Sequence, residues 1–140
     1  MKLYRLAHHN IAYRLRDQPE AGFMLSKAGP YFSAFDSVAA AILESHIYRE
    51  CHVLPASMRV VEYNLPDDCR IIEKRCRLRP ATASISDLEL GESAHQFLEG
   101  GISLVASFMS NYWRDQTIFL INPRNPDFKE LTVTMVSPCV

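Results

Sequence analysis

The sequence predicts an α+β fold: a mixed or antiparallel sheet with helices packed on it. Three observations carry this. About six short segments are rich in β-branched and aromatic residues or alternate apolar with polar ones, and two longer segments carry helical patterns. The strands gather toward the C-terminal half, with the helices set between them rather than in regular strand–helix alternation. The length of 140 residues suits one domain over 1–140, too short for two good cores. Apolar residues at 48% and charged residues at 22% are enough to offset the entropy of folding, so a folded chain is expected.

Taken in order, Lys2 to Ala7 reads as a short strand, with Leu3 and Arg5 alternating with Tyr4 and Leu6. Asn10 to Gly22 is polar and basic and reads as a loop with room for one helical turn. Gly29-Pro30 signals a turn, and Tyr31 to Phe35 is aromatic enough for a strand. Asp36-Ser37 offers side-chain oxygens to cap a helix that runs from Ser37 to about Tyr48. Its apolar stripe is read as Val38, Ile42, Leu43 and Ile47, and Pro55 ends the segment.

Val60 to Leu65 alternates, with Val61, Tyr63 and Leu65 on one face and Glu62 and Asn64 on the other. Arg70 to Pro80 carries five basic residues diluted by Asp67, Asp68 and Glu73. It lacks interleaved aromatics, so it reads as a solvated surface rather than a nucleic-acid patch. Asp87 to Gly100 reads as a helix with Phe97-Leu98 buried and Gly100-Gly101 as its stop. Ile102 to Met109 and Thr117 to Ile121 read as apolar strands. In Leu131 to Val136, Leu131, Val133 and Met135 alternate with Thr132 and Thr134.

Charge and composition exclude several function classes. Fifteen basic and sixteen acidic residues leave a net charge of -1, which gives no global grip on nucleic acid or anionic lipid. No apolar run approaches the ~20 residues that cross a bilayer, and Met1 to Leu6 does not read as a signal peptide, so a cytoplasmic setting is expected. Cys51, Cys69, Cys76 and Cys139 form no CxxC pair, and His8-His9 and Cys51-His52 are adjacent residues that point apart on a strand. No metal site is expected. Phosphate-loop, GxGxxG, HExxH and GxSxG motifs are absent.

Three places can hold chemistry. Glu44 follows six apolar residues in the better helix; it reads either as a solvated helix face or as a carboxylate held on a rigid element at the edge of a cleft. Ser110 ends an apolar strand ahead of Asn111-Tyr112, as a turn-former or as a binding group. Asn122-Pro123-Arg124-Asn125-Pro126 reads first as a rigid turn. Tyr31, Phe32 and Phe35 read as core.

Four stretches resemble the RES domain family, the toxin half of a bacterial toxin–antitoxin system. They are Leu3-Tyr4-Arg5-Leu6-Ala7; Gly22 through Glu44, with Ser26-Lys27, Pro30 and Ala39-Ala40-Ala41-Ile42-Leu43-Glu44; Phe97-Leu98 with Gly101 and Ser103-Leu104-Val105; and Phe119 to Phe128. The resemblance implies an ADP-ribosyltransferase-like fold and degradation of NAD+ at the nicotinamide–ribose bond, by hydrolysis or phosphorolysis. NAD+ is then substrate, with no metal. The implied partner is an Xre-type antitoxin that covers the cleft, with self-association common in the family and no direct contact with nucleic acid or membrane.

Carried over residue by residue, the family's acidic residue falls on Glu44 and its serine on Ser110, the expected catalytic pair. Arg5, Ser26, Lys27, Tyr31, Ser33 and Asn122 are the expected nucleotide-binding residues. The chain departs from the pattern at the family's loop arginine, which falls on Phe23 or Met24, and at its tyrosine, which falls on Ser33 with Tyr31 two residues before it. The alternative is a divergent RES-fold protein with lost or altered catalysis that binds a nucleotide or a protein. Without the resemblance, a small α+β interaction module is the remaining reading.

Overall fold

The computed structural model describes residues 1–49, 55–80, 89–110 and 115–139. Asp87, the Cys51-His52 pair, Asn111-Tyr112 and the side chain of Ile47 lie outside the described residues. Among the described residues the elements are, in chain order, β1 (Lys2–His8), α1 (His9–Ala12), β2 (Met24–Ser26), β3 (Gly29–Ala34), α2 (Val38–Arg49), β4 (Met58–Asn64), β5 (Ile71–Arg77), α3 (Glu92–Gly100), β6 (Val105–Met109), β7 (Thr117–Ile121) and β8 (Thr132–Pro138). Short 3-10 turns cover Pro19–Gly22 and Pro126–Glu130. The expected α+β class with a mixed sheet is what forms.

One sheet is antiparallel in the order β1-β4-β8; the other runs β2-β3-β7-β6-β5. In the second sheet β5 and β6 pair in parallel, joined through α3, and the remaining pairs are antiparallel. The Tyr4 and Phe35 backbones exchange hydrogen bonds of 2.7 and 2.8 Å, which stitch β1 to the chain leaving β3.

Period-2 alternation sorts side chains into two cores. Along β7, Ile118 and Leu120 enter a first cluster with Phe108, Phe97 and Leu98, while Phe119 and Ile121 enter a second with Phe32, Val61 and Tyr63. Both faces of β7 are covered, which is why this strand is continuously apolar in sequence. Along β1, Leu3 and Ala7 enter the second cluster while Tyr4 and Leu6 pack on the first.

Several expectations are corrected. The stripe of α2 is rotated: Ala40, Ala41 and Glu44 are buried, Val38 and Ile42 are half-buried, and Leu43 is 47% exposed. α2 packs against β1, and alanines at the contact let two backbones approach where larger side chains hold them apart. Gly29-Pro30 is not the turn but the start of β3; the turn is Lys27-Ala28, between β2 and β3. Ile102 is 80% exposed, and the strand begins three residues later at Val105, because Gly101 at φ 65° turns the chain out of α3 first.

In the basic stretch Arg70, Arg75 and Arg77 are exposed as expected but Arg79 is buried, and the stretch also forms β5, an edge strand whose Glu73, Arg75 and Arg77 face water. Charged side chains suit an edge because they deter pairing with another chain. On β8 the alternation breaks at Met135, which is 44% exposed. Glu62 pairs with Met135 and Tyr63 with Val133, so Thr134 is an extra residue in the ladder. The resulting bulge turns Met135 outward, and the Thr134 hydroxyl donates to Glu62 Oε2 at 2.7 Å.

Candidate active site

Glu44 is delivered by a helix whose start the sequence specifies. Ser37 Oγ accepts from the Ala40 N–H at 3.1 Å, which fixes the first turn and the phase of everything after it. Positions 40, 41 and 44 then share one face, and Glu44 is carried inward to 1% exposure. Neither sequence reading of Glu44, a solvated face or the rim of a cleft, describes this burial. Ser110 stands at the end of β6, 4% exposed, its N–H donating to the Gln116 carbonyl at 2.9 Å.

The two residues, far apart in sequence, meet: Ser110 Oγ donates to Glu44 Oε1 at 2.5 Å. That length is typical of a hydroxyl bonded to a charged oxygen. Glu44 Oε2 is buried and has no hydrogen-bond partner among the described residues. A buried acceptor left open costs free energy, so it is either a reservoir of strain or a place kept for a ligand.

Arg79 is a residue that sequence reasoning missed. Its sequence neighbourhood reads as a solvated basic stretch, but it is 5% exposed. Leu78 beside it donates to the Met109 carbonyl at 3.3 Å and accepts from the Gly91 N–H at 2.9 Å, so this segment is clamped between β6 and the start of α3. No local signal separates Arg79 from Arg75 or Arg77; the strand end and the clamp decide it.

Burial pushes the Glu44 carboxyl above the ordinary glutamate value, against the opposing pull of the Ser110 hydrogen bond and the Arg79 charge. The folded state therefore holds the Glu44 proton more tightly than the unfolded chain. Stability from this group is full below the unfolded value and is lost as pH rises through the raised folded value. We expect melting curves taken from the ordinary glutamate value upward to show Glu44→Gln gaining on the parent as pH rises. A difference that stays flat with pH would contradict the raised value.

Of the other expected site residues, Arg5, Ser26 and Asn122 form their hydrogen bonds elsewhere, while Tyr31 is buried with the α2 alanines that share a face with Glu44. Ser26 Oγ donates to the Gly29 carbonyl at 2.9 Å and accepts from the Ala28 N–H at 3.2 Å, organising the β2–β3 turn. Lys27 in that turn is exposed. Tyr31 is 1% exposed, in the first cluster with Ala40 and Ala41, and half-buried Ser33 pairs with Leu120. Arg5 lies on the second core: its guanidinium sits 4.8 Å above the Phe32 ring and donates to the Gly22 carbonyl at 2.9 Å.

Asn122 belongs to a structural clamp. Its Nδ2 donates to the Leu98 carbonyl at 3.3 Å, and Arg124 Nη2 donates to the same carbonyl at 3.2 Å and also to that of Ala28. Asn125 Nδ2 donates to the Gly101 carbonyl at 3.0 Å, and its Oδ1 accepts from the Asp127 N–H at 2.9 Å. The last carbonyls of a helix lack intrahelical partners, and a cation there also complements the helix dipole. The rigid turn expected at Asn122–Pro126 is thus the cap that fastens α3 to β7 and to the β2–β3 turn.

Among the described residues no group of three or more His, Cys, Asp or Glu side chains is placed to hold a metal ion, and no helix is long and apolar enough to cross a membrane. Compared with known proteins, the chain matches no protein-family model and no curated protein sequence.

Proposed function

We propose that this chain is a RES-like enzyme that breaks the nicotinamide–ribose bond of NAD+ and is held in check in the cytoplasm by an Xre-type antitoxin. The observation that supports this is the Glu44–Ser110 pair, with one carboxylate oxygen held and the other open in a buried setting. Glu44 Oε2 would accept from a ribose hydroxyl of the bound substrate. As the glycosidic bond breaks, its electron pair leaves with nicotinamide and positive charge develops on the ribose. A carboxylate fixed beside it stabilises that charge without solvent having to reorganise. Water, releasing a proton to solvent, or a phosphate oxygen then bonds the ribose carbon. A desolvated anion suits this task, because the cationic substrate supplies the charge that burial has made scarce.

The near-complete burial of Glu44 favours a second reading. In it the pair is an internal tie between α2 and the end of β6, and a divergent RES-fold protein binds a nucleotide or a protein partner without turnover. Purified protein incubated with NAD+, with and without phosphate, separates the two by release of nicotinamide. Ser110→Ala should slow that release by about two- to tenfold, the worth of one orienting hydrogen bond. No release by the parent protein would remove the enzyme reading and leave the second.

A further inference from the structure

A cleft of about 390 Å3 opens on the second core, between the chain following α1 and the turn that precedes β8. It shares no lining residue with the Glu44–Ser110 pair. Its apolar wall is made by Leu15, Tyr63, Phe128, Leu131 and Val133, all of which pack in the second cluster. Two cations, Arg16 and Lys129, line it from separate segments of the chain. Their neighbours Asp17 and Glu130 do not line it, and among the described residues neither does any other carboxylate.

The charge continues behind the wall. Arg5 lies across Phe32, its charge acts on the Tyr63 hydroxyl, its Nη2 donates to the Gly22 carbonyl, and it forms no ion pair among the described residues. Gly22 keeps this arrangement tight, since a Cβ there would stand 2.8 Å from Leu15 and 3.2 Å from Arg5 Nη1. An apolar wall, two lining cations, a third cation behind, and no lining acid suit an anion with an apolar body. Its size lies at the lower end of small-molecule sites, too small for a folded partner.

We infer that this cleft binds a small amphipathic organic anion, of the medium-chain carboxylate class, at a site separate from Glu44. The apolar body lies against Phe128, Leu131 and Val133, and the carboxylate is met by Arg16 and Lys129. The full chain titrated with octanoate, and in parallel with uncharged 1-octanol, tests this by backbone amide NMR shifts. Octanoate should shift amides around Leu15, Tyr63 and Val133 and bind about tenfold more tightly than octanol, the margin of a charge-assisted contact. The double variant Arg16→Gln/Lys129→Gln, which changes only exposed side chains, should erase that margin while octanol binding persists. Equal binding of the two probes by the parent protein, shifts confined to other parts of the chain, or no saturation with octanoate would overturn the assignment. So would displacement of octanoate by NAD+, which would give the cleft to the nucleotide instead.

Discussion

Under the proposed cleavage of NAD+, Glu44→Gln should leave a folded protein whose nicotinamide release falls by about 10²–10³, the usual loss when one electrostatic stabiliser of a transition state is removed. Glutamine keeps the volume, and its carbonyl oxygen can still accept from Ser110, so the contact at 2.5 Å is not simply lost. What disappears is the negative charge that opposes positive charge on the ribose. Because Glu44 is 1% exposed, this is an interior substitution, and the small change in stability expected of a surface position does not apply. The amide adds a buried donor where Oε2 stands open, yet it also removes a carboxyl whose ionisation burial opposes. Melting of the variant at neutral pH should therefore be no lower than that of the parent. Parent-like release by a folded Glu44→Gln protein would show that the carboxylate takes no part in the reaction.

Gly29→Ala should lower stability by about 2–4 kcal/mol, which is a large share of a typical total of about 5–15 kcal/mol. Two costs combine. Gly29 sits at φ 120°, a conformation essentially confined to glycine and worth about 1–3 kcal/mol for any other residue. Its added Cβ would also stand 2.7 Å from Arg124 Cζ, so the guanidinium must move off the Ala28 and Leu98 carbonyls that it ties together. Gly101→Ala is the control. It also has positive φ, 65°, but nothing lies within 4 Å of the added Cβ, so only a backbone cost of about 1 kcal/mol is expected. Combining Gly29→Ala with Arg124→Ala should cost less than the sum of the two, since the collision vanishes with the side chain. Equal melting of the two glycine variants, or strict additivity with Arg124→Ala, would show that the clamp does not bear on Gly29.

The elements legible in the sequence were those with local causes. Ser37 starts α2 through its own hydroxyl, Gly101 ends α3 through its left-handed conformation, and β7 reads as a strand because both of its faces are apolar. The likeness of Glu44 and Ser110 to a family's catalytic pair also came from the residues alone, and in the fold the two side chains are hydrogen-bonded. β5 escaped because an edge strand need bury little, so charge hid its pairing. Met135 escaped because one extra residue on β8 reverses the faces after it.

By itself the sequence determined an α+β chain with a capped helix, a buried strand pair and a rigid Asn-Pro turn, since each follows from the covalent chemistry of a few neighbouring residues. Only the tertiary structure decided which way α2 faces. A helix carrying Ala40 and Ala41 on one side and Val38, Ile42 and Leu43 on another has two faces it can bury, and its own pattern does not choose between them. Packing against β1 buries the alanines in one cluster with Tyr4 and Leu6, and Glu44 is carried inward with them. The same holds for Arg79 and for Arg124, whose sequence neighbours resemble those of any surface arginine. One is buried by a strand end and the other is placed at the end of a helix from a distant part of the chain, because burial and long-range hydrogen bonding depend on which segments meet rather than on what lies next to them.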